Sequence, residues 1–178
     1  DIRRRIKSVS NTQKITKAMK MVSASKYRKN LNNLVAVRPF ITNIEEVMYD
    51  LLGSGIRYNN PLMEQRSEIK NILYIVIAGD RGLAGGYNSN VLKLVEEQIR
   101  GQQAEVLPIG KKAVDFFRSR GIPAFTENYA EAASVSIGDC FSIAKQLCKA
   151  FRDGTYSQVH VAYTNFESML SQSPAAMK

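Results

Sequence analysis

Four glycines within eight residues mark the chain's first candidate for chemistry, in Gly79-Asp80-Arg81-Gly82-Leu83-Ala84-Gly85-Gly86-Tyr87-Asn88. A glycine-rich turn between a strand and a helix can aim backbone N–H groups and a helix N-terminus at a phosphate. The spacing G-x-x-G-x-x-G-G departs from both standard patterns. The dinucleotide form is G-x-G-x-x-G. The nucleoside-triphosphate loop closes on Gly-Lys-Ser/Thr, where this chain has Gly86-Tyr87-Asn88. A tight packing turn at a strand end explains the same glycines, and the residues favour it.

The remaining candidates are weaker. His160, the single histidine, falls mid-strand, the setting of a satisfied structural histidine. Asp139 and Glu131 have no evident carboxylate partner. Cys140 and Cys148 stand eight apart in one helical stretch, about 12 Å along the axis. A disulfide needs Cα atoms within about 7 Å, so both read as reduced, half-buried packing residues. With one histidine and two cysteines, no zinc site can be assembled from His and Cys alone. The expectation is no catalytic residue, no metal and no cofactor.

The elements that would position these residues alternate in type. Ile72 to Ala78 is a continuous apolar run, β-branched at Ile72, Ile75, Val76 and Ile77, which predicts a strand buried on both faces. After the glycine turn, Asn88 or Ser89 is expected to cap a helix running to Arg100, with Gly101 ending it. A strand over Ala104–Ile109 follows, then a helix over Lys111–Arg120 closed by Gly121. A short strand is expected at Pro123–Thr126. Ser136 should cap a helix through Arg152, and Gln158–Thr164 should form a strand, with another opening at Phe166–Leu170. Strand and helix in alternation predict βαβ units and a mostly parallel sheet with helices on both faces.

Before this body comes an unbroken helical pattern from Asp1 to about Leu52, with no glycine before Gly53 and one proline, Pro39. A helix of that length would extend about 78 Å, so it must project from any compact body. Leu34, Val37, Ile41, Ile44, Met48 and Leu51 recur at steps of three and four, a coiled-coil seam. Continued backward, the register meets small and polar residues such as Ser23, Lys20, Thr16 and Gln13. Pro39 predicts a bend without termination, because the seam resumes in register. The expected organisation is a shaft helix over 1–55, a linker over 56–69 kept out of helix by Pro61, and an α/β domain over 70–178.

The net charge of +9 is confined to this helix. Residues 1–30 hold ten Lys/Arg against Asp1 alone, and the remaining residues balance. The basic half should therefore face an acidic surface. A helix basic first and heptad-patterned second fits a DNA-binding zipper, although the zipper would be short and carry Pro39. A membrane-surface helix would need a broader apolar face. A shaft meeting acidic protein surfaces explains both the charge and the thin seam. No run approaches about 18 apolar residues, so no membrane-spanning helix is predicted, and no secretory signal is visible. The absence of an initiator Met predicts an incomplete start.

Ile2-Arg3-Arg4-Arg5-Ile6, Asn11-Thr12-Gln13-Lys14-Ile15-Thr16-Lys17-Ala18-Met19 and Met21-Val22-Ser23-Ala24-Ser25-Lys26 resemble the N-terminal helix of the gamma subunit of F-type ATP synthases. Gly79 to Asn88 is similar to that family's glycine-rich segment. Ile109-Gly110-Lys111-Lys112, Tyr163-Thr164-Asn165-Phe166 and Leu170-Ser171-Gln172 match further stretches in the same order. The resemblance implies a non-catalytic central-stalk rotor whose long helix is one half of an antiparallel coiled coil, followed by a Rossmann-like domain. It implies that the second shaft helix lies beyond Lys178, and that the glycine turn is structural. Lys14, Lys17, Met19, Lys20 and Lys26 become the expected contacts to the ring of alpha and beta subunits. The epsilon subunit and the membrane rotor ring are the other implied partners. The expected location is peripheral, on the cytoplasmic face of a bacterial plasma membrane.

Overall fold

The computed structural model describes residues 1–55, 60–63, 66, 68 and 70–178. The chain divides into two compact units, Asp1–Tyr58 and Asn59–Lys178. The first unit is a single helix, α1 (Ile2–Gly53), of 52 residues with Pro39 inside it and no buried residue. Its end follows from backbone geometry. Gly53 is the last helical residue, Ser54 caps it, and Gly55 adopts φ +70°, where a side chain would be strained. Most of the expected linker (56–59, 64, 65, 67 and 69) lies outside the described residues. Within the rest, Pro61–Met63 form a 3-10 turn. Proline's fixed φ suits the first position of a helical turn, so Pro61 opens this turn where it was expected to prevent one.

The second unit holds one four-stranded sheet. Its strands are β1 (Ile72–Ile77), β2 (Ala104–Ile109), β3 (Gln158–Phe166) and β4 (Gln172–Met177), in the order β2-β1-β3-β4. β1 runs parallel to β2 and β3, and β4 pairs antiparallel with β3. The helices are α2 (Tyr87–Gln98), α3 (Lys111–Ser119) and α4 (Ile137–Arg152). The alternation of β1 divides the core. Ile72, Tyr74 and Val76 meet Val91, Val95, Ala113 and Phe117 of α2 and α3 on one face. Leu73 meets Leu107, Ile143, Leu147 and Tyr156 on the other, under α4. A strand buried on both faces must be apolar at every position, which is why β1 reads as an unbroken run.

Three expectations are corrected. Pro123–Thr126 is not a strand: it makes a single parallel bridge between Val106 and Ala124. Val106 donates to Pro123 (3.0 Å) and Phe125 donates to Val106 (2.8 Å), and the pairing goes no further. The last strand starts at Gln172 rather than Phe166, because Phe166 closes β3 and Glu167–Ser171 form the turn. Neither Asn88 nor Ser89 caps α2: Gly86 takes the cap position with no side-chain bond. The helix starting at Ser136 does form as expected. Ser136 and Asp139 make a reciprocal capping box, with Asp139 N–H donating to Ser136 Oγ (3.2 Å) and Ser136 N–H to Asp139 Oδ2 (2.8 Å).

Candidate functional site

The glycine-rich turn is a joint built from protein groups. Gly79 N–H donates to Asn88 Oδ1 at 2.7 Å, and Asn88 Nδ2 donates to the Arg81 carbonyl at 3.2 Å. Asn88, the first turn's polar residue, therefore clamps the loop shut across its base. The Asp80 carboxylate reaches the N-terminus of α3. Its Oδ1 accepts from Lys111 N–H (3.2 Å) and Ala132 N–H (2.8 Å), and Oδ2 accepts from Ala133 N–H (3.3 Å). Burial pushes this carboxyl's pKa up, but the amides of Ala132, Lys111 and Ala133 and the Arg81 guanidinium outweigh it, and the net direction is down. An anion at a helix N-terminus is favourable, and here the chain supplies its own. At the N-terminus of α3 the Lys111 amide is thus satisfied from within, whereas α2, which follows the glycine turn, has no side-chain cap. Gly110, which precedes α3 at φ +95°, lies so close to β1 that a Cβ would strike the Ala78 carbonyl.

The other candidates are also occupied structurally. His160 stacks on its cross-strand neighbour Tyr74, ring centroids 4.9 Å apart, and its Nε2 lies 2.9 Å from Gln158 Oε1. Burial first, and the charge of Lys178 second, lower its pKa, so the neutral ring is favoured. Asp139 serves the α4 cap. Cys140 and Cys148 are free, with Cys148 partly buried and Cys140 exposed rather than half-buried. Among the described residues no group of His, Cys, Asp and Glu is arranged to hold a metal.

Along α1 the seam residues Leu34, Val37, Ile41, Ile44, Met48 and Leu51 are all exposed and share one helical face by their spacing. Lys14, Lys17, Met19, Lys20 and Lys26 are exposed too. At about 100° per residue, Lys14, Lys17 and Lys20 sweep an arc of about 120°, while Met19 and Lys26 fall together on another side. The five residues thus surround the helix instead of sharing a face. Thr12 and Thr16 turn their hydroxyls back onto the carbonyls of Ser8 and Thr12 (3.0 and 3.1 Å), leaving that surface smooth. The ion pairs formed among the described residues all lie outside α1.

A sequence profile described as ATP synthase matches residues 1–178, the whole chain. The chain belongs to the ATP synthase gamma family. It is 37% identical over 179 residues to an ATP synthase gamma chain of Heliobacterium modesticaldum, covering 100% of this chain and 61% of that one. It is 39% identical over 176 residues to the gamma chain of Moorella thermoacetica, covering 98% and 62%. The chain thus spans about three fifths of the length of these relatives. Among solved structures it is similar in fold to a chain of the Tetrahymena thermophila mitochondrial ATP synthase central stalk and c-ring, with TM-score 0.66 and 24% identity over 92% of this chain and 70% of that one.

In the glycine turn, Asp80 is the residue that the sequence reading missed. Asp80's partners lie 31, 52 and 53 residues downstream, so no local pattern discloses them. The only hint was an acidic residue inside a glycine-rich loop, where a phosphate site would favour none.

Proposed function

We propose that this chain is the shaft-bearing, non-catalytic rotor subunit of an F-type ATP synthase. In this reading it transmits rotation of a proton- or sodium-driven membrane ring to catalytic sites on beta subunits. The carrying observation is α1, a helix of 52 residues without a single buried one, in a chain that matches the gamma family throughout. Helices in water are stabilised mainly by packing, so this one calls for partners. The seam from Leu34 to Leu51 would take a second, antiparallel helix of the same subunit. The basic half would turn inside the alpha/beta ring.

A shaft that rotates needs contacts that break at each step. Exposed ion pairs are worth about 0–1 kcal/mol each, and Lys14, Lys17, Lys20 and Lys26 offer such contacts on several sides of the helix. Their distribution around it, with Met19, suits a sleeve that meets the shaft from every direction. The sheet body would face the epsilon subunit and the membrane ring. Its parallel strands, with helices on both faces, support a Rossmann-like reading in which Asp80 supplies an anion at the N-terminus of α3. Among the described residues no helix is long and apolar enough to cross a membrane, and the relatives named are bacterial. The bacterial relatives support a peripheral position on the cytoplasmic face of a bacterial plasma membrane.

The test uses the full-length subunit in a reconstituted complex. Co-purification with alpha and beta chains is expected. Lys17→Glu with Lys20→Glu should change the ATPase rate or its coupling to ion pumping. Unchanged rate and coupling would remove these lysines from the contact set, and failure to co-purify would remove the rotor reading itself.

A further inference from the structure

The helix α4 carries two apolar stripes, and the sheet uses only one. Ile143, Leu147 and Ala150 face the sheet core. Ile137, Phe141, Ala144, Cys148 and Phe151 recur at steps of four, three, four and three, a second seam about 120° away around the helix. Its first half is open to solvent, with Ile137 78% and Phe141 73% exposed. Its second half forms one wall of a groove of about 650 Å³, closed on the other side by Leu62 and Met63. Arg66 closes its end, its guanidinium 4.6 Å from the centre of the Phe151 ring and donating to the Phe151 carbonyl.

The described charges of α4 that border this seam have one sign. Lys145 and Arg152 border it on the solvent side, about 60–80° from Ile137 by helical geometry, and Lys149 stands beyond them. Of the acidic residues on this helix and its cap, Asp139 is held by the capping box and lies on the opposite side. Asp153 pairs with Lys149 at 3.6 Å, away from the stripe. Among the described residues Arg66 and Lys178 line the groove, and no acidic residue does.

We propose that this seam is a docking site for an acidic amphipathic helix of a partner protein, laid along α4 from Ile137 to Phe151. Its apolar residues would fill the seam and groove, and its carboxylates would face Lys145 and Arg152. An apolar seam rimmed by cations repels a second copy of itself, which disfavours self-association. A concave groove receives a rod, whereas a bilayer meets a convex face, which disfavours a membrane. The inference is independent of the role proposed for α1.

The probe is a fluorescein-labelled helical peptide of about 16 residues, four turns, with Leu at three–four spacing and Glu on both flanks. Its control carries Lys in place of Glu. Fluorescence anisotropy with the full-length chain should show the Glu peptide binding at least tenfold more tightly than the Lys peptide. Phe141→Glu, at an exposed position that leaves the fold intact, should weaken binding at least tenfold. Lys145→Glu with Arg152→Glu should reverse the preference. Equal binding of the two peptides, or binding indifferent to Phe141→Glu, would overturn the proposal. So would association with phosphatidylserine vesicles but not the Glu peptide, or a dimer in sedimentation that Phe141→Glu dissolves.

Discussion

Removing the Asp80 carboxylate tests whether the glycine-rich turn is a structural joint. The carboxylate accepts three backbone N–H bonds, from Lys111, Ala132 and Ala133, at 3.2, 2.8 and 3.3 Å. A hydrogen bond to a charged group contributes about 1.5–3 kcal/mol. Asp80 is only partly buried, so water can reach part of what the carboxylate leaves. The three bonds together should then be worth about 2–4 kcal/mol. Asp80→Ala should lose all of this. Asp80→Asn keeps an acceptor at Oδ1, which serves two of the three amides, and turns an NH2 toward the third, so it should lose about 1–2 kcal/mol. The chain has no Trp and eight Tyr, and α1 dominates the far-ultraviolet signal. Urea unfolding is therefore best followed by tyrosine near-ultraviolet circular dichroism, because five of the eight tyrosines lie in the sheet unit. The pH dependence has a definite sign. Because the folded pKa is lowered, the contribution is present above the unfolded value of about 3.9. It is lost as the pH falls through the folded value. The difference between wild type and Asp80→Ala should thus be full at pH 7 and shrink below pH ~4. A difference under about 0.5 kcal/mol at pH 7, typical of surface substitutions, would refute the joint. So would one that does not shrink in acid.

Two further substitutions probe the same unit. Gly110→Ala combines a left-handed φ of +95° with a Cβ aimed at the Ala78 carbonyl. It should destabilise by about 3 kcal/mol or more, seen as loss of soluble protein or a large drop in the urea midpoint; a wild-type midpoint would contradict the close approach. Tyr156→Phe deletes the hydroxyl that donates to Glu105 Oε2 at 2.5 Å, a bond that with burial pushes the phenol's pKa up. It should destabilise by about 1–2 kcal/mol at pH 7, and an unchanged urea midpoint would count against that bond.

What the sequence discloses depends on how far away the determining partner lies. The ends of β1, β2, α3 and α4 are set by neighbours: a β-branched run, a glycine after the last turn, a serine three residues before an aspartate. Those elements are legible. β4 is not, because Gln172-Ser173-Pro174-Ala175-Ala176-Met177 contains no β-branched or aromatic residue and is strand only through its pairing with β3. Pro123–Thr126 fails in the opposite direction: its residues suit an edge, yet β2 pairs with it only around Val106. The site divides in the same way. The three–four spacing of the α1 seam and the lopsided charge of residues 1–30 are periodic and local, so they stand out before any fold is known. The second seam on α4 is equally periodic, but periodicity alone cannot say which of two apolar stripes the sheet takes. That choice emerges only when Leu73 and Leu107 cover Ile143 and Leu147 and leave Phe141 bare. Phe141 is hydrophobic and left uncovered by the sheet core. Binding is one physical reason for such a side chain, and the proposed seam on α4 would then join the unburied helix of 52 residues as a partner surface.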